Sequence, residues 1–271
     1  MNLKSTDPTR YCVQRALSDR VYLAQDLRLD RWVVLKKDCC EAELNIGKLL
    51  LRCAPALLDL TCDQWGVFEY VPDLPLRDWL SRASLDPRWI RHTSKHLVKA
   101  LDEVHQSGWV HGDLHPGNVL VSPQGDVRLI DFGSAHHRGV VPATFHADYS
   151  APEALAGQAC DAQADIYSAG KLLSQLNRRL GHGPWQRRLN RSQSHDPWQR
   201  PTLAQLHIPA AQPPYYLGFA LSLLAPSLGD TIAPEHSIRE QIRTTTSLTA
   251  PTPTGFRDKI RGFPGQPLNK L

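Results

Sequence analysis

Three oxygen-bearing side chains near the middle of the sequence have the types and the spacing that handling a phosphate group requires. Asp113 and Asn118 lie five residues apart in the segment VHGDLHPGNVL, and Asp131 follows thirteen residues after Asn118. A carboxylate such as Asp113 can accept a hydroxyl proton, whereas the side-chain oxygens of Asn118 and Asp131 are ligands that suit Mg²⁺. Phosphoryl transfer depends chiefly on such positioning and charge stabilisation. The three residues therefore predict a metal-dependent phosphoryl-transfer site.

A lysine that needs an acidic partner if it is to be held in place stands near the end of the stretch RWVVLKK. Lys36 occupies this place, and the segment after it offers two acidic partners, Glu41 and Glu43. On a helix, apolar residues such as Ile46 share the face of Glu43, whereas polar residues share the face of Glu41. We therefore expect Glu43 to orient Lys36, with Glu41 as the alternative.

Two hydrophobic patterns divide the sequence into a strand-rich part and a helix-rich part. Alternating apolar and polar residues predict two or three antiparallel strands within 10–37 and another strand in the run GVFEYV. Helices are expected at about 39–52, 76–82, 88–107, 162–180 and 202–207. A hairpin at 119–132, which turns at Gly125-Asp126, interrupts the helices and delivers Asp131. These elements predict an α+β, two-lobed fold.

The expected domain spans residues 10–225, with an amino-terminal lobe over about 10–71 and a carboxy-terminal lobe over about 72–225. Its last part, YYLGFALSLLA, is the longest apolar run and is interpreted as a core helix. That run is too short to cross a bilayer, which takes about 20 apolar residues. The segment TTTSLTAPTPTG has almost no core-forming residues, so a disordered tail is expected over 226–271.

Composition and charge are those of an ordinary globular protein, with 41% hydrophobic residues and a formal net charge of +4. This mild positive charge is compatible with anionic ligands, but it does not indicate a nucleic-acid partner. No apolar region of a secretory signal is visible at the amino terminus. The six cysteines form no C-x-x-C pair, and no His cluster completes a zinc pattern. Free thiols and a cytoplasmic location are therefore expected.

Five segments together resemble the motifs of the protein-kinase superfamily. They are HGDLHPGN, DFG, APE, DIYSAG and the DPWQRPT segment, and the resemblance extends over about residues 11–207. Within this superfamily, the sequence most resembles the small, eukaryotic-like Ser/Thr protein kinases of bacteria. The resemblance implies a two-lobed protein-kinase-like fold, ATP as cofactor with Mg²⁺ or Mn²⁺, and a protein as substrate.

The resemblance also implies a role for each candidate residue. Asp113 takes the place of the base, and His115 stands where a lysine normally neutralises the moving phosphoryl group. Lys36, oriented by Glu43, takes the place of the phosphate-binding cation. The nucleotide-binding positions are Val21, Lys36, Glu43, Glu69, Val71, Asn118 and Asp131, and the metal ligands are Asn118 and Asp131. Glu153 of APE is expected to pair with Arg200.

Three departures from the kinase pattern keep other functions open. The glycine positions of the phosphate-covering loop hold Gln14, Ala16 and Asp19, which favours weak nucleotide binding or a pseudokinase that acts as a binding module. Gly112 replaces the usual arginine before Asp113, and the spelling HGDLHPGN also occurs in small-molecule kinases. The expected function is ATP- and Mg²⁺-dependent phosphorylation of protein Ser or Thr; a small-molecule or glycan kinase and a pseudokinase are the alternatives.

Overall fold

An antiparallel five-stranded sheet forms the amino-terminal lobe. The computed structural model describes residues 10–61, 64–142, 144–181 and 185–206. The strands are β1 (Tyr11–Ala16), β2 (Val21–Asp26), β3 (Arg31–Lys36), β4 (Leu57–Leu60) and β5 (Gly66–Glu69). Their order in the sheet is β1-β2-β3-β5-β4. The predicted strands within 10–37 are thus three in number, and β4 is a strand that the sequence pattern did not indicate.

One helix, α1 (Glu41–Lys48), packs beside this sheet and is shorter than the predicted helix over 39–52. The backbone N–H of Leu49 closes the last turn on the carbonyl of Ile46. Leu50 then adopts a positive φ of 54°, a left-handed conformation that ends a helix of L-residues. The apolar run after Lys48 was therefore wrongly taken as helical, and Leu50 is 72% exposed.

Helices dominate the carboxy-terminal lobe. They are α2 (Leu76–Leu80), α3 (Pro87–Gln106), α4 (Pro152–Leu155), α5 (Ala162–Arg178) and α6 (Gln186–Ser192). The two long helices begin at side-chain caps, because Asp86 accepts the N–H of Arg88 and Asp161 accepts that of Gln163. The helix expected at 202–207 is instead a single 3₁₀ turn, Ala204–Leu206. Residues 207–271, which include the expected core helix and tail, lie outside the described residues.

Short strands link the helices at the centre of this lobe. They are β6 (Leu74–Pro75), β7 (Trp109–Val110), β8 (Val119–Val121), β9 (Val127–Leu129) and β10 (His136–His137). The predicted hairpin is present, since β8 pairs with β9 in antiparallel register. Its turn needs Gly125, whose φ is +92° and whose added Cβ would lie 2.8 Å from Thr93 Oγ1 on α3. A 3₁₀ turn at Phe132–Ser134 follows the hairpin.

A large apolar core joins α3, α5 and the β8–β9 hairpin. Trp79 and Trp89 stack near one end of it, with ring centroids 4.7 Å apart. Among the described residues, no helix is both long enough and apolar enough to cross a membrane. The α+β, two-lobed fold expected from the sequence is confirmed.

A buried ion pair connects α4 to the end of the described chain. The guanidinium of Arg200 forms two bonds to the Glu153 carboxylate, at 2.6 and 2.7 Å. Arg200 also donates to the carbonyls of Gln163 and Ser194, so its buried charge is fully hydrogen-bonded. Such a pair is costly to break from one side, because the remaining charge stays buried without its partner.

We expect Arg200→Ala to lower the free energy of unfolding by roughly 3–5 kcal/mol, since it leaves the Glu153 carboxylate desolvated and unpaired. Urea denaturation followed by circular dichroism measures this change. Arg138→Ala, at an exposed position, is the matched control and should alter stability by less than about 0.5 kcal/mol. Equal stability of the two variants would contradict the assignment of the pair as a structural anchor.

Candidate functional site

Lys36 is the point at which the two lobes meet in the candidate site. Its Nζ lies 2.6 Å from Glu43 Oε1 on α1 and 2.7 Å from Asp131 Oδ1, which follows β9. The structure therefore brings Glu43 to Lys36, as the sequence led us to expect, whereas Glu41 is exposed. One ammonium group thus links the sheet, the helix beside it and the metal-binding candidate of the other lobe.

The charges of this cluster are set by burial and by mutual attraction. Burial alone would lower the pKa of Lys36, but the neighbouring carboxylates of Glu43 and Asp131 outweigh burial and raise it. Burial raises the pKa of Glu43, with Lys36 acting in the opposite sense. Burial also acts to raise the pKa of Asp131, yet attraction to Lys36 prevails and the pKa is lowered. Asp131 is therefore ionised at neutral pH and able to attract a cation.

Asp131 holds an uncommon backbone conformation. Its φ is +61° and its ψ is +70°, in the left-handed region that a residue with a Cβ rarely adopts. Such a residue costs on the order of 1–3 kcal/mol and persists only where its surroundings enforce it. Here the bond to Lys36 and the burial of the next residue, Phe132, supply that enforcement.

His111 fixes the relative position of Asp113 and Asp131. Its Nδ1 accepts the backbone N–H of Asp113 at 3.3 Å, and its Nε2 lies 3.2 Å from the carbonyl of Ile130. A ring that carries its proton on Nε2 satisfies both contacts, with Nε2–H donating to that carbonyl. The ring also stacks on Phe132 at 4.8 Å. His111 therefore holds the segment of Asp113 at a fixed distance from the segment of Asp131.

Asp165, at the start of α5, anchors the loop that carries Asp113. Its carboxylate is buried and accepts the backbone N–H groups of His111 at 2.7 Å and Gly112 at 3.0 Å. His105 Nε2 on α3 contacts the same carboxylate at 2.8 Å. Burial acts to raise the pKa of Asp165, but the hydrogen bond from His105 and the nearby imidazoles lower it overall. An ionised Asp165 thus holds the loop against two helices.

Asp113 and Asn118 lie side by side in this loop. Asn118 Nδ2 donates to the Asp113 carbonyl at 2.9 Å, so the amide oxygen of Asn118 remains available to a cation. The Oδ1 atom of Asp113 is shielded from solvent and has no hydrogen-bond partner in the described ranges. A buried acceptor without a donor is unfavourable by about 1–3 kcal/mol, and a substrate hydroxyl would supply the donor.

His115 occupies a cluster of rings next to Asp113. Its ring centroid lies 4.7 Å from that of His146 and 6.4 Å from that of Tyr149, and its Nε2 is 3.8 Å from Asp113 Oδ2. Burial is the main reason that the pKa of His115 is lowered, and Asp113 compensates only in part. Nδ1 accepts the N–H of Gly117, so the neutral ring presents its Nε2–H towards Asp113. His115 can therefore donate one hydrogen bond at neutral pH but supplies no positive charge.

Gly112 is required by the backbone of this loop. Its φ is +78°, and an added Cβ would lie 2.5 Å from the carbonyl oxygen of Ser134. No L-residue side chain fits there without moving the segment that follows Phe132. An arginine at position 112 would therefore not fit the present backbone.

The nucleotide-binding candidates of the amino-terminal lobe line its sheet and the connection to the other lobe. Val21 pairs with Lys36 across β2 and β3. Glu69 ends β5, and its side chain contacts Arg128 at 3.0 Å on β9 of the other lobe. This ion pair uses the side chain of Glu69. Nucleotide binding by Glu69 and Val71 stays a prediction.

The β1–β2 hairpin contains no glycine, as the sequence indicated. Its turn is closed by the backbone N–H groups of Leu17 and Ser18, which donate to the Val21 carbonyl at 2.8 and 3.1 Å. A register shift between Val13 and Arg15 distorts β1. The β1–β2 hairpin is therefore regularly hydrogen-bonded even though it contains no glycine.

The structure brings together Lys36, Glu43 and Asp131, which the sequence proposed for phosphate handling, but the sequence did not indicate the residues that position them. His111 and Asp165 both lie in segments that were noted, HGDLHPGN and DIYSAG, yet the contact between them joins positions more than fifty residues apart. The His115–His146–Tyr149 cluster also depends on the fold, because it brings together residues more than thirty positions apart.

Family comparison decides what kind of domain this geometry belongs to. The family model described as protein kinase domain matches residues 61–215, which is more than half of the 271-residue chain. The chain belongs to the protein kinase family. This match agrees with the resemblance inferred from the motifs.

Several curated kinases are similar to parts of this kinase-family chain. It is 30% identical over 207 residues to serine/threonine-protein kinase PknL of Mycobacterium tuberculosis, covering 65% of this chain and 51% of the relative. Over 119 residues it is 34% identical to the probable serine/threonine-protein kinase PknB of Bifidobacterium longum, covering 41% and 17%. Over 142 residues it is 32% identical to cyclin-dependent kinase 4 of Ovis aries, covering 50% and 46%. The chain thus spans about half, or less, of these relatives.

Asn118 and Asp131 are the residues that would hold Mg²⁺ in this kinase domain. The carbonyl of Asn118 accepts the N–H of Ile130 at 3.0 Å, which brings the two candidate ligands to adjacent chain segments. An amide oxygen beside an ionised carboxylate suits a hard cation that keeps water and phosphate oxygens as its other ligands. A nucleotide phosphate would complete the site from the side of Lys36.

We expect a non-hydrolysable ATP analogue to stabilise the protein far more with Mg²⁺ than with EDTA, because Asn118 and Asp131 bind phosphate only through a shared cation. Thermal shift measures this, and at a hundredfold excess over the dissociation constant the stabilisation should be about 2.7 kcal/mol. Asp131→Asn should lose the Mg²⁺-dependent part, whereas Asp30→Asn, at an exposed position in the turn between β2 and β3, should keep it. Equal shifts with Mg²⁺ and with EDTA would remove the metal-site assignment.

Proposed function

We propose that this chain is a protein kinase that transfers the γ-phosphoryl group of ATP to Ser or Thr hydroxyls of proteins. The observation that supports the proposal best is the position of Lys36 between two carboxylates. Its Nζ lies 2.6 Å from Glu43 Oε1 and 2.7 Å from Asp131 Oδ1. These contacts support a phosphate-binding role for Lys36 and a metal-ligand role for Asp131. His111 holds Asp113 next to the segment that carries Asp131, which supports the role of Asp113 as acceptor of the substrate proton.

In the proposed reaction, Asp113 accepts the proton of the substrate hydroxyl while the hydroxyl oxygen forms a bond to the γ-phosphorus. The bond between that phosphorus and the β–γ bridging oxygen breaks, and ADP leaves with the electron pair. Lys36 holds the nucleotide phosphates, while His115 offers one hydrogen bond near Asp113. Mg²⁺, when bound, supplies the charge that offsets the developing negative charge on the phosphates.

The assignment to protein Ser or Thr rests on the names of the similar kinases and on the anchored segment around α4. Two of the relatives described above are named serine/threonine-protein kinases. The segment that ends in α4 is held by the Glu153–Arg200 pair and by Ser168 Oγ, which donates to the Tyr149 carbonyl at 2.9 Å. A fixed surface beside Asp113 suits a polypeptide substrate.

A pseudokinase remains the second candidate, and the glycine-free β1–β2 hairpin favours it. The side chains of Gln14, Ala16 and Asp19 replace the hydrogen atoms that would allow backbone amides to approach phosphates closely. The Asp19 carboxylate also adds negative charge there. A protein of this kind would bind partners without transferring phosphate.

We expect Asp113→Asn to lower kcat by about 10²- to 10⁴-fold while nucleotide binding persists, because a proton acceptor is lost but no phosphate contact is. Transfer from radiolabelled ATP to a panel of Ser- and Thr-containing peptides measures kcat, and thermal shift measures binding. Undiminished transfer by Asp113→Asn would contradict the role of Asp113. Transfer by neither form, with nucleotide still bound by both, would establish the pseudokinase.

We expect His115→Lys to raise kcat at neutral pH by about tenfold or more, because a fixed charge replaces a neutral imidazole beside the transferred group. The pKa of His115 lies below its ordinary value of 6.5, so the ring becomes charged only as the pH falls below that value. The wild type should therefore gain activity on mild acidification, and His115→Lys should not. His195→Lys, which adds a lysine at an exposed position, is the control. Identical pH profiles for wild type and His115→Lys would refute the argument.

A further inference from the structure

Two histidines of α3 and one aspartate of the β8–β9 turn form a cluster on the side of the carboxy-terminal lobe. His92 and His96 stand one helical turn apart, and their rings face each other with centroids 4.0 Å apart. Asp126 Oδ1 lies 3.2 Å from His92 Nε2 and 3.1 Å from His96 Nδ1. All three ligand-type atoms fall within 4.8 Å of one another. Within the described residues, no other group of His, Cys, Asp or Glu side chains is arranged in this way.

We propose that His92, His96 and Asp126 form a zinc site, separate from the phosphate-handling residues. Zinc binds imidazole nitrogen and carboxylate oxygen at about 2.0–2.2 Å in tetrahedral geometry, so its ligand atoms lie about 3.3–3.5 Å apart. The two contacts to Asp126 Oδ1 are already close to that spacing. Two imidazoles and one carboxylate are a donor set for zinc rather than for Mg²⁺, which takes oxygen ligands.

Hydrogen bonds within the β8–β9 turn and from α3 fix the position of Asp126. The backbone N–H of Asp126 donates to Ser122 Oγ at 3.0 Å, and the Ser122 N–H donates to the Asp126 carbonyl at 3.0 Å. Trp89 Nε1 on α3 donates to the Ser122 carbonyl at 3.3 Å, which ties the same turn to the same helix. Gly125 permits the close approach, because an added Cβ would lie 3.1 Å from His92 Cδ2.

Exposure leaves room for the fourth ligand. The side chain of His92 is 11% exposed, that of His96 is 29% exposed, and that of Asp126 is 59% exposed. Water can therefore complete the tetrahedron from the side of Asp126. The bound zinc joins α3 to the turn of the hairpin whose strands lead to Asn118 and Asp131.

Zinc affinity of the full chain, measured by competition with a chromophoric chelator in the presence of millimolar Mg²⁺, tests the proposal. We expect one tight zinc equivalent in the wild type, and Asp126→Asn and His96→Gln should each weaken it by at least about 100-fold. Loss of an outer-shell partner alone weakens metal binding by about 10- to 100-fold, and loss of a ligand should exceed that. His195→Gln removes an exposed imidazole elsewhere and should bind zinc as the wild type does.

Melting temperatures in EDTA separate a metal site from a cluster that only forms hydrogen bonds. Zinc should raise the melting temperature of the wild type and of His195→Gln, but not that of His96→Gln. The proposal is overturned if all four proteins bind zinc equally, or if Mg²⁺ displaces the ion. It is likewise overturned if the substitutions change the melting temperature in EDTA without changing zinc affinity. His96→Gln, at a partly exposed position, keeps the test valid should Asp126→Asn not fold.

Discussion

The buried carboxylate of Asp165 is the interaction on which the candidate site depends. Three donors from two segments converge on it: the backbone N–H groups of His111 and Gly112, and the ring of His105. A charge removed from water is tolerable only when it is hydrogen-bonded in this way. Because its donors include the two residues before Asp113, the carboxylate sets where that side chain stands relative to α3 and α5. The site is thus oriented by a carboxylate that is itself buried.

A second constraint joins the lobes through charge, in addition to the apolar core that includes Ile46 of α1. Lys36 lies between Glu43 and Asp131, and the Glu69–Arg128 pair adds a further bridge from the sheet to β9. Ion pairs of this kind have a defined geometry. Their separation costs less free energy than opening a packed apolar core does, because the separated charged groups are hydrated again. The left-handed backbone of Asp131 is maintained by the same contacts. Alignment of the lobes and the conformation of the candidate metal ligand are therefore coupled.

The sequence predicted the two-lobed fold, the central hairpin and the proximity of Glu43 to Lys36, because these follow from periodicity and local spacing. It did not predict the end of α1, since Leu49, Leu50 and Leu51 continue an apolar pattern that the backbone does not follow. Most contacts between distant segments were also out of reach, although the resemblance to protein kinases did imply the Glu153–Arg200 pair that the structure contains. The pairing of Asp126 with His92 and His96 requires the hairpin turn to pack on α3, and no spacing along the chain reports that packing.

Gly112 couples two segments of the chain sterically. The protein-kinase pattern has an arginine at this place, and here the left-handed backbone and the 2.5 Å approach of Ser134 leave no room for a side chain. Substitution by arginine would need the segment around Ser134 to move at the same time. A single substitution at position 112 therefore meets a steric barrier, and the two segments can change only together.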